Sequence, residues 1–243
     1  MPTRAEFLER IGREVRKTPG LFRASAAERP PRPQQAADTV RRQLAERRPQ
    51  ALERFRQEFE RVAGVFHRAA GPAAVSGIIG EIAREKGARE LVSWDPASLG
   101  LDLPSSLAGH GLSVIQAPAR APDAAFRRRH RDDAERAPIG VTGADFAVAE
   151  TGTLVLISGA GRPRSTSLLP ATHVALFRAA HLLETLEQLG VMLEALHEDP
   201  ARSMSGAMIN FITGPSRTAD IELTLTRGVH GPKEVHAIFV EEP

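Results

Sequence analysis

The sequence TGADFAVAETGTLVLIS, residues 142–158, decides the fold because it places two apolar runs on either side of a Thr-Gly-Thr turn. Asp145 and Glu150 flank the apolar FAVA, which predicts a short buried strand with a carboxylate at each end. The run LVLIS predicts a second strand, so the two form either an antiparallel pair or a strand extension around Gly152. Polar groups at the ends of buried strands are typical of functional sites, and this stretch is therefore the first candidate site.

Short apolar runs alternate with helical patterns on both sides of this stretch. The predicted strands are residues 90–94, 112–116, 154–158, 173–177, 208–213 and 234–240. The predicted helices are residues 72–88, a segment carrying RRRHRDDAER, and residues 180–197. This alternation predicts an α/β fold with a mostly parallel sheet covered on both faces, a three-layer α/β/α sandwich over residues 71–243.

Residues 1–70 differ from the remainder in charge and periodicity. They hold 16 Lys and Arg against 9 Asp and Glu. Apolar residues recur at helical spacing, from Phe7 in the first turns to Phe66 at the end, which predicts a basic helical arm interrupted by a proline-rich linker at residues 19–35. The arm is either a surface for anions, nucleic acid or a partner, or a set of helices packed on the domain with solvated arginine faces. Basic and acidic residues alternate within it, so nucleic-acid binding is the less expected alternative.

The composition restricts the chemistry that the chain can carry. The sequence has no cysteine, which removes disulfides, thiolate zinc sites, thiol nucleophiles and cysteine-ligated iron–sulfur clusters. No apolar run has the length of a signal peptide or a membrane span. We therefore expect a cytoplasmic protein without membrane contact, and any redox metal must belong to a partner.

Three further segments carry polar residues beside predicted strands. SGAGRPRSTSLLPATH, residues 158–173, contains Arg164 and Ser167 and is either an anion cradle or a plain glycine turn. In GPSRTADIE, residues 214–222, Ser216 or Thr218 caps a predicted helix whose N-terminus binds an anion beside Arg217. In GVHGP, residues 228–232, His230 is either structural or the best candidate for proton transfer.

We expect the candidate site residues to converge at one edge of the sheet, outside the carboxyl ends of its strands. The catalytic candidates are Glu150, Asp145 and His230. The ligand-binding candidates are Thr142, Asp145, Glu150, Thr151, Gly152, Arg164, Ser167, Gly214, Ser216, Arg217, Thr218 and His230. The alternative for Glu150 and Thr153 is that they only satisfy buried backbone groups. No metal-binding motif is present in the sequence.

Three segments of the sequence resemble the lactate-utilisation (LUD) domain family, formerly a domain of unknown function. They are TGADFAVAETGTLVLIS, SLLPATHVALF and NFITGPSRTADIELTLTRGVHGPKEVHAIFV. The resemblance extends in order from about residue 71 to the C-terminus and is most specific after residue 140. It is closest to the small stand-alone members of the family, which serve as a component of a lactate-utilisation system.

This resemblance implies a fold similar to the ribose-phosphate isomerase and CoA-transferase group. It also implies a role with partner subunits, one of which carries iron–sulfur clusters, in the oxidation of L-lactate to pyruvate. The chain itself is then a non-redox accessory or ligand-binding subunit without a cofactor, which supplies a pocket for a small carboxylate or a docking surface. The alternative is a stand-alone isomerase or CoA-transferase-like enzyme with Glu150 as nucleophile or base and Asp145 as its partner. The family provides no assigned catalytic residue.

Overall fold

The computed structural model describes residues 3–16, 32–119, 123–198, 208–219 and 225–241. The α-helices within these residues are α1 (Arg4–Arg16), α2 (Pro33–Arg61), α3 (Pro72–Glu85), α4 (Pro96–Leu99), α5 (Leu103–Leu107), α6 (Ala124–Arg136), α7 (Ser165–Leu168) and α8 (Leu186–Glu198). The strands within them are β1 (Val65–Ala69), β2 (Glu90–Ser93), β3 (Ser113–Gln116), β4 (Ile139–Gly143), β5 (Phe146–Val148), β6 (Thr153–Ile157), β7 (Thr172–Phe177), β8 (Leu182–Leu183), β9 (Ile209–Ile212), β10 (Arg217–Ala219), β11 (Leu225–Arg227) and β12 (Glu234–Val240).

Six parallel strands form the main sheet in the order β1-β12-β7-β4-β2-β3. All six residues of β7 are buried, as are the last six of β12, because both strands lie inside the sheet. Helices flank the sheet: α3 contacts β1 and β12, and α6 contacts β2. The parallel sheet with its helices confirms the predicted α/β class.

The central stretch leaves the main sheet after β4 and builds a second, four-stranded sheet in the order β8-β5-β6-β9. Strands β5 and β6 pair antiparallel, with Phe146 opposite Val155 and Val148 opposite Thr153. The antiparallel alternative is therefore confirmed. Side chains alternate between two cores: Ala147 belongs to the core of the main sheet, whereas Phe146, Val148 and Val155 pack with α8.

Helix α2 joins the two cores along its 29 residues. Leu44 packs in the core with α8, while Phe55 and Phe59 are fully buried in the core of the main sheet. The rings of Phe55 and Phe59 stack with centroids 5.3 Å apart, and Phe55 also contacts the Phe177 ring at 5.0 Å. This part of the arm therefore packs on the α/β domain through its apolar face and leaves its arginines in solvent.

Three predicted elements within residues 1–198 differ from the structure. Residues 65–69 form an edge strand of the main sheet, although the spacing of Phe66 predicts helix. Helix α8 begins at Leu186, because residues 182–183 pair with β5 as a short strand. The predicted linker at residues 19–35 lies outside the described residues up to residue 31, and its last three residues begin α2.

Among the described helices, none combines the length and the apolar character needed to cross a membrane.

Candidate functional site

Asp145 lies where the chain passes from the main sheet into the second sheet. Its carboxylate accepts a hydrogen bond from the Ile157 backbone N–H at 2.7 Å and one from Nη1 of Arg162 at 2.6 Å. The Asp145 N–H donates to the Val155 carbonyl at 2.8 Å, so the residue also closes the open end of the β5–β6 hairpin. A charge-assisted bond of this kind fixes the direction of the guanidinium.

Arg162 is held in place by a tight turn as well as by Asp145. Gly159 and Arg162 exchange two backbone hydrogen bonds of 3.1 Å, and Gly161 rests against the buried carboxylate of Asp95. The Arg162 guanidinium carbon lies 5.6 Å from the centre of the Trp94 ring. A carboxylate on one side and an aromatic face on the other thus hold this cation at the surface of a cavity.

The cavity has a volume of about 360 Å³ and lies at the carboxyl end of the main sheet. Its wall includes Ala117, which directly follows β3, and the loop between β6 and α7. The lining residues are Ala117, Pro118, Phe126, Arg127, His130, Arg131, Ser158, Gly159, Gly161, Arg162, Pro163, Arg164, Ser165 and Met208. Four of them are arginines and none is a carboxylate among the residues that the structure describes, so the wall favours an anion.

His130 is the buried polar group of this cavity, with 3% of its surface exposed. Its ring stacks on Phe126 with centroids 5.9 Å apart, and Nε2 lies 3.4 Å from the Thr166 hydroxyl. The other ring nitrogen, Nδ1, has no hydrogen-bond partner within the described parts of the chain. Burial lowers the pKa of His130, with Asp133 opposing the shift, so the ring is neutral at pH 7.

Arg164 and Ser167 from the predicted set lie in the same region. Arg164 is exposed and lines the cavity. Ser167 is buried and donates a 3.1 Å hydrogen bond to the backbone carbonyl of Arg164, which closes the first turn of α7. Thr142 is buried in β4, where its hydroxyl shares a 2.8 Å hydrogen bond with Nε2 of His173. Neither Thr142 nor Ser167 is among the lining residues.

The Thr-Gly-Thr turn lies at the opposite end of the hairpin from Asp145. The Thr151 hydroxyl bonds to that of Thr153 at 2.7 Å, and Thr153 bonds onward to Thr213 at 2.8 Å. Glu150 is exposed, and its carboxylate accepts a 2.9 Å hydrogen bond from the Leu186 N–H at the start of α8. These contacts give each of the hydroxyls and the carboxylate a structural partner.

We expect Glu150→Ala to lower the free energy of unfolding by about 1 kcal/mol, because the variant loses a carboxylate that caps α8 and complements its dipole. Glu150→Gln keeps an acceptor oxygen and should cost less than half as much. Urea titration of both variants measures the difference. Glu198→Ala, which removes an exposed carboxylate from the other end of α8, is the matched control and should not lower stability. Full stability of Glu150→Ala would contradict the capping role.

The third group of predicted residues does not form a helix N-terminus. Residues 217–219 are strand β10, which pairs antiparallel with β11. Arg217 donates to the backbone carbonyl of Val62, which lies close to Gly214, and the Ser216 hydroxyl accepts from the His230 N–H at 3.4 Å. The predicted helix cap is therefore wrong, whereas anion binding beside Arg217 stays a prediction. The side chain of Thr218 lies outside the described residues.

The predicted convergence at one edge of the sheet is also wrong for this group. The Ser216 N–H bonds to the Pro232 carbonyl, and Lys233 bonds to Ala171, so the group lies beside the amino ends of β12 and β7. Asp145 follows the carboxyl end of β4, and the strands are parallel. Among the side chains that the structure describes, only two members of the predicted set meet at the cavity. Arg164 lines it, and Asp145 holds the lining residue Arg162.

Sequence reasoning left Phe126, His130 and Arg162 out of the candidate set. Phe126, His130 and Ala134 recur at a spacing of four in α6, which is the signal of a helix face turned inward. The surrounding arginines in this segment hide that signal. For Arg162 the signal is weaker, because only the fold brings the residue to Asp145, which lies 17 positions before it.

A model of the LUD domain matches residues 52–240. The protein named Lactate utilization protein C from Halalkalibacterium halodurans is 38% identical over 165 residues, which cover 68% of this chain and 68% of that protein. The protein of that name from Macrococcus caseolyticus is 34% identical over 167 residues, 68% of this chain and 67% of that protein. One from Geobacillus sp. is 40% identical over 121 residues, but that match spans only about half of each chain, 49%.

A solved structure shares the fold. The crystal structure of a DUF162 family protein from Deinococcus radiodurans superposes with a TM-score of 0.53 over 79% of this chain and 98% of that chain. The sequences are 19% identical, so the likeness concerns the fold alone.

Proposed function

This chain belongs to the LUD domain family, and from that membership we propose that it is a non-redox, ligand-binding subunit of an assembly that oxidises L-lactate to pyruvate. The name shared by the curated relatives supports a role in lactate utilisation. In this proposal the subunit works in the cytoplasm beside partner subunits that carry iron–sulfur clusters.

The arginine-lined cavity is the observation that carries the ligand-binding part of the proposal. Guanidinium groups bind carboxylates and other oxyanions through two parallel hydrogen bonds. Arg162, held by Asp145, and Arg164 supply such groups at the carboxyl end of a parallel sheet. Ligands of open α/β sheets bind at this position.

The absence of cysteine supports the assignment of the redox step to a partner subunit. Oxidation of a hydroxyl to a carbonyl removes two electrons and two protons, which need an acceptor that amino-acid side chains do not provide. The 243 residues contain no thiolate to hold an iron–sulfur cluster. In the proposal the electrons pass to a partner subunit, and this subunit binds or positions the ligand or docks to the partner.

Reconstitution tests the proposal. The purified chain alone should be colourless and should not reduce a dye in the presence of L-lactate, whereas the chain together with its iron–sulfur partner subunits should. Omission of the chain from the mixture should lower the rate at least tenfold. Lactate-dependent dye reduction by the chain alone, or a full rate without it, would overturn the proposal.

The alternative of an isomerase or CoA-transferase-like enzyme has less support. It needs Glu150 as a nucleophile or base beside a substrate. The Glu150 carboxylate instead caps α8 and is absent from the lining of the described cavity. Asp145, its intended partner, lies at the other end of the hairpin and is engaged with Arg162.

A further inference from the structure

We propose that the cavity between α6 and the loop before α7 takes an oxyanion carried on a flat, apolar body, and that a three-carbon hydroxy acid is not its main ligand. This inference rests on the proposed function, because it names the ligand class of the same cavity. Size, lining and the stacked rings each support it.

The cavity is too large for lactate alone. Its volume of about 360 Å³ falls within the range of roughly 300–1,000 Å³ found for sites that bury drug-sized ligands. A three-carbon acid would leave most of this space to water. A ligand that fills the cavity displaces that water from apolar walls, which is the favourable part of binding.

The walls are apolar away from the arginines. Phe126, Met208, Pro118 and Pro163 contribute carbon surface, and Met208 is half exposed. Such surface gains nothing from a small hydrated anion, whereas it stabilises the apolar body of a larger one by about 25 cal/mol for each Å² removed from water.

The rings of Phe126 and His130 stack on each other, with an angle of 14° between their planes. A planar ligand can extend this stack from the cavity in the offset arrangement that aromatic groups prefer. Nδ1 of His130 has no partner within the described residues, but the atom is buried, so a ligand in the cavity does not reach it in this structure. Because burial keeps this ring neutral, the anion must be matched elsewhere.

Arg164 provides the positive charge that pairs with the anion of the ligand. Within the part of the chain that the structure describes, its guanidinium has no ion pair or hydrogen bond, whereas Arg162 is already paired with Asp145. Arg164 therefore gains its partner from the ligand. Its planar group suits a carboxylate and a phosphate equally, so the shared oxyanion chemistry is what the structure assigns.

Titration calorimetry with four probes tests this proposal on the full chain: 2-naphthoate, 2-naphthyl phosphate, uncharged 2-naphthamide and L-lactate. At least one naphthyl anion should bind, and the tighter of the two identifies the preferred oxyanion. The amide and L-lactate should bind at least tenfold more weakly. Equal affinity for the amide, equal affinity for L-lactate, or no binding of either naphthyl anion would overturn the proposal.

Variants locate the binding. Arg164→Gln should weaken binding of the naphthyl anion about tenfold or more, which is the usual scale for a hydrogen bond to a charged group. Phe126→Leu should weaken its binding at least threefold. Arg128→Gln, which removes a charge from the same helix outside the cavity, should leave the affinity unchanged. Unchanged affinity in both Arg164→Gln and Phe126→Leu would overturn the assignment. A failed reconstitution of lactate oxidation would not alter these affinities, so the two proposals fail separately.

Discussion

Replacement of Gly152 by alanine is expected to lower the free energy of unfolding by about 3 kcal/mol. Gly152 has a φ of 59°, which costs an alanine about 1–2 kcal/mol. An added Cβ would also overlap the backbone nitrogen of Phe59 and lie 2.6 Å from the carbonyl carbon of Glu58. These are backbone atoms of α2, so relief requires the helix to move away from the hairpin, and overpacking of this kind costs about 1–3 kcal/mol.

Urea unfolding of the variant measures this effect. Gly77→Ala is the matched control, because Gly77 lies within α3 and its added Cβ would meet no atom within 4 Å. The control should gain about 0.5–1 kcal/mol, the difference in helix propensity between the two residues. If Gly152→Ala were as stable as the wild type, the close contact between the turn and α2 would be refuted.

Acidification is expected to destabilise the protein between pH 6.5 and pH 5, with His173 as the main single contributor. Complete burial, together with the nearby His236, lowers the pKa of His173 to about 3. Burial also lowers the pKa values of His67, His130 and His236. Above pH 6.5 these rings are neutral in both states. Below it the unfolded chain binds protons that the folded chain does not, so His173 alone lowers the stability by about 1.4 kcal/mol per pH unit, and the other three histidines act in the same direction.

Measurement of the free energy of unfolding at pH 7.5 and at pH 5 tests this expectation through the difference between the two values. His173→Asn should reduce that difference by about 2 kcal/mol, the share of one buried histidine over this interval. The variant's own loss of packing affects both pH values and cancels. His197→Gln, in which an exposed histidine of α8 is replaced, should retain the wild-type difference. An unchanged difference in His173→Asn would exclude His173 as the source.

The central stretch was the most predictable part of the chain. Apolar runs bounded by turn residues identify β5 and β6, and the short turn around Gly152 permits their antiparallel pairing. The need for glycine at position 152 could not be predicted, because it arises from a close contact with the backbone of α2, more than ninety positions earlier in the sequence. Periodicity describes one element at a time, whereas this contact joins two.

The candidate site was only partly predictable for a related reason. Asp145 was identified because it directly precedes the apolar run FAVA, but its partner Arg162 is set by the fold. The segment after Ser216 was misjudged because a serine and a threonine before an acid are typical of a helix start. The sequence TADIELTL alternates polar and apolar residues, which is the period of a strand and agrees with β10 at its start and β11 at its end.

The position of β12 inside the main sheet has a consequence for folding kinetics. It pairs with β1 on one side and β7 on the other, and its contact with β1 joins His67 to His236 across 169 positions. Until residues 234–240 have been synthesised, β1 has no neighbour in the sheet and β7 has an open edge. Pairing over such a separation requires closure of a long loop, which slows folding and lengthens the exposure of apolar strand edges. The nascent chain should therefore depend on chaperones until synthesis has passed β12.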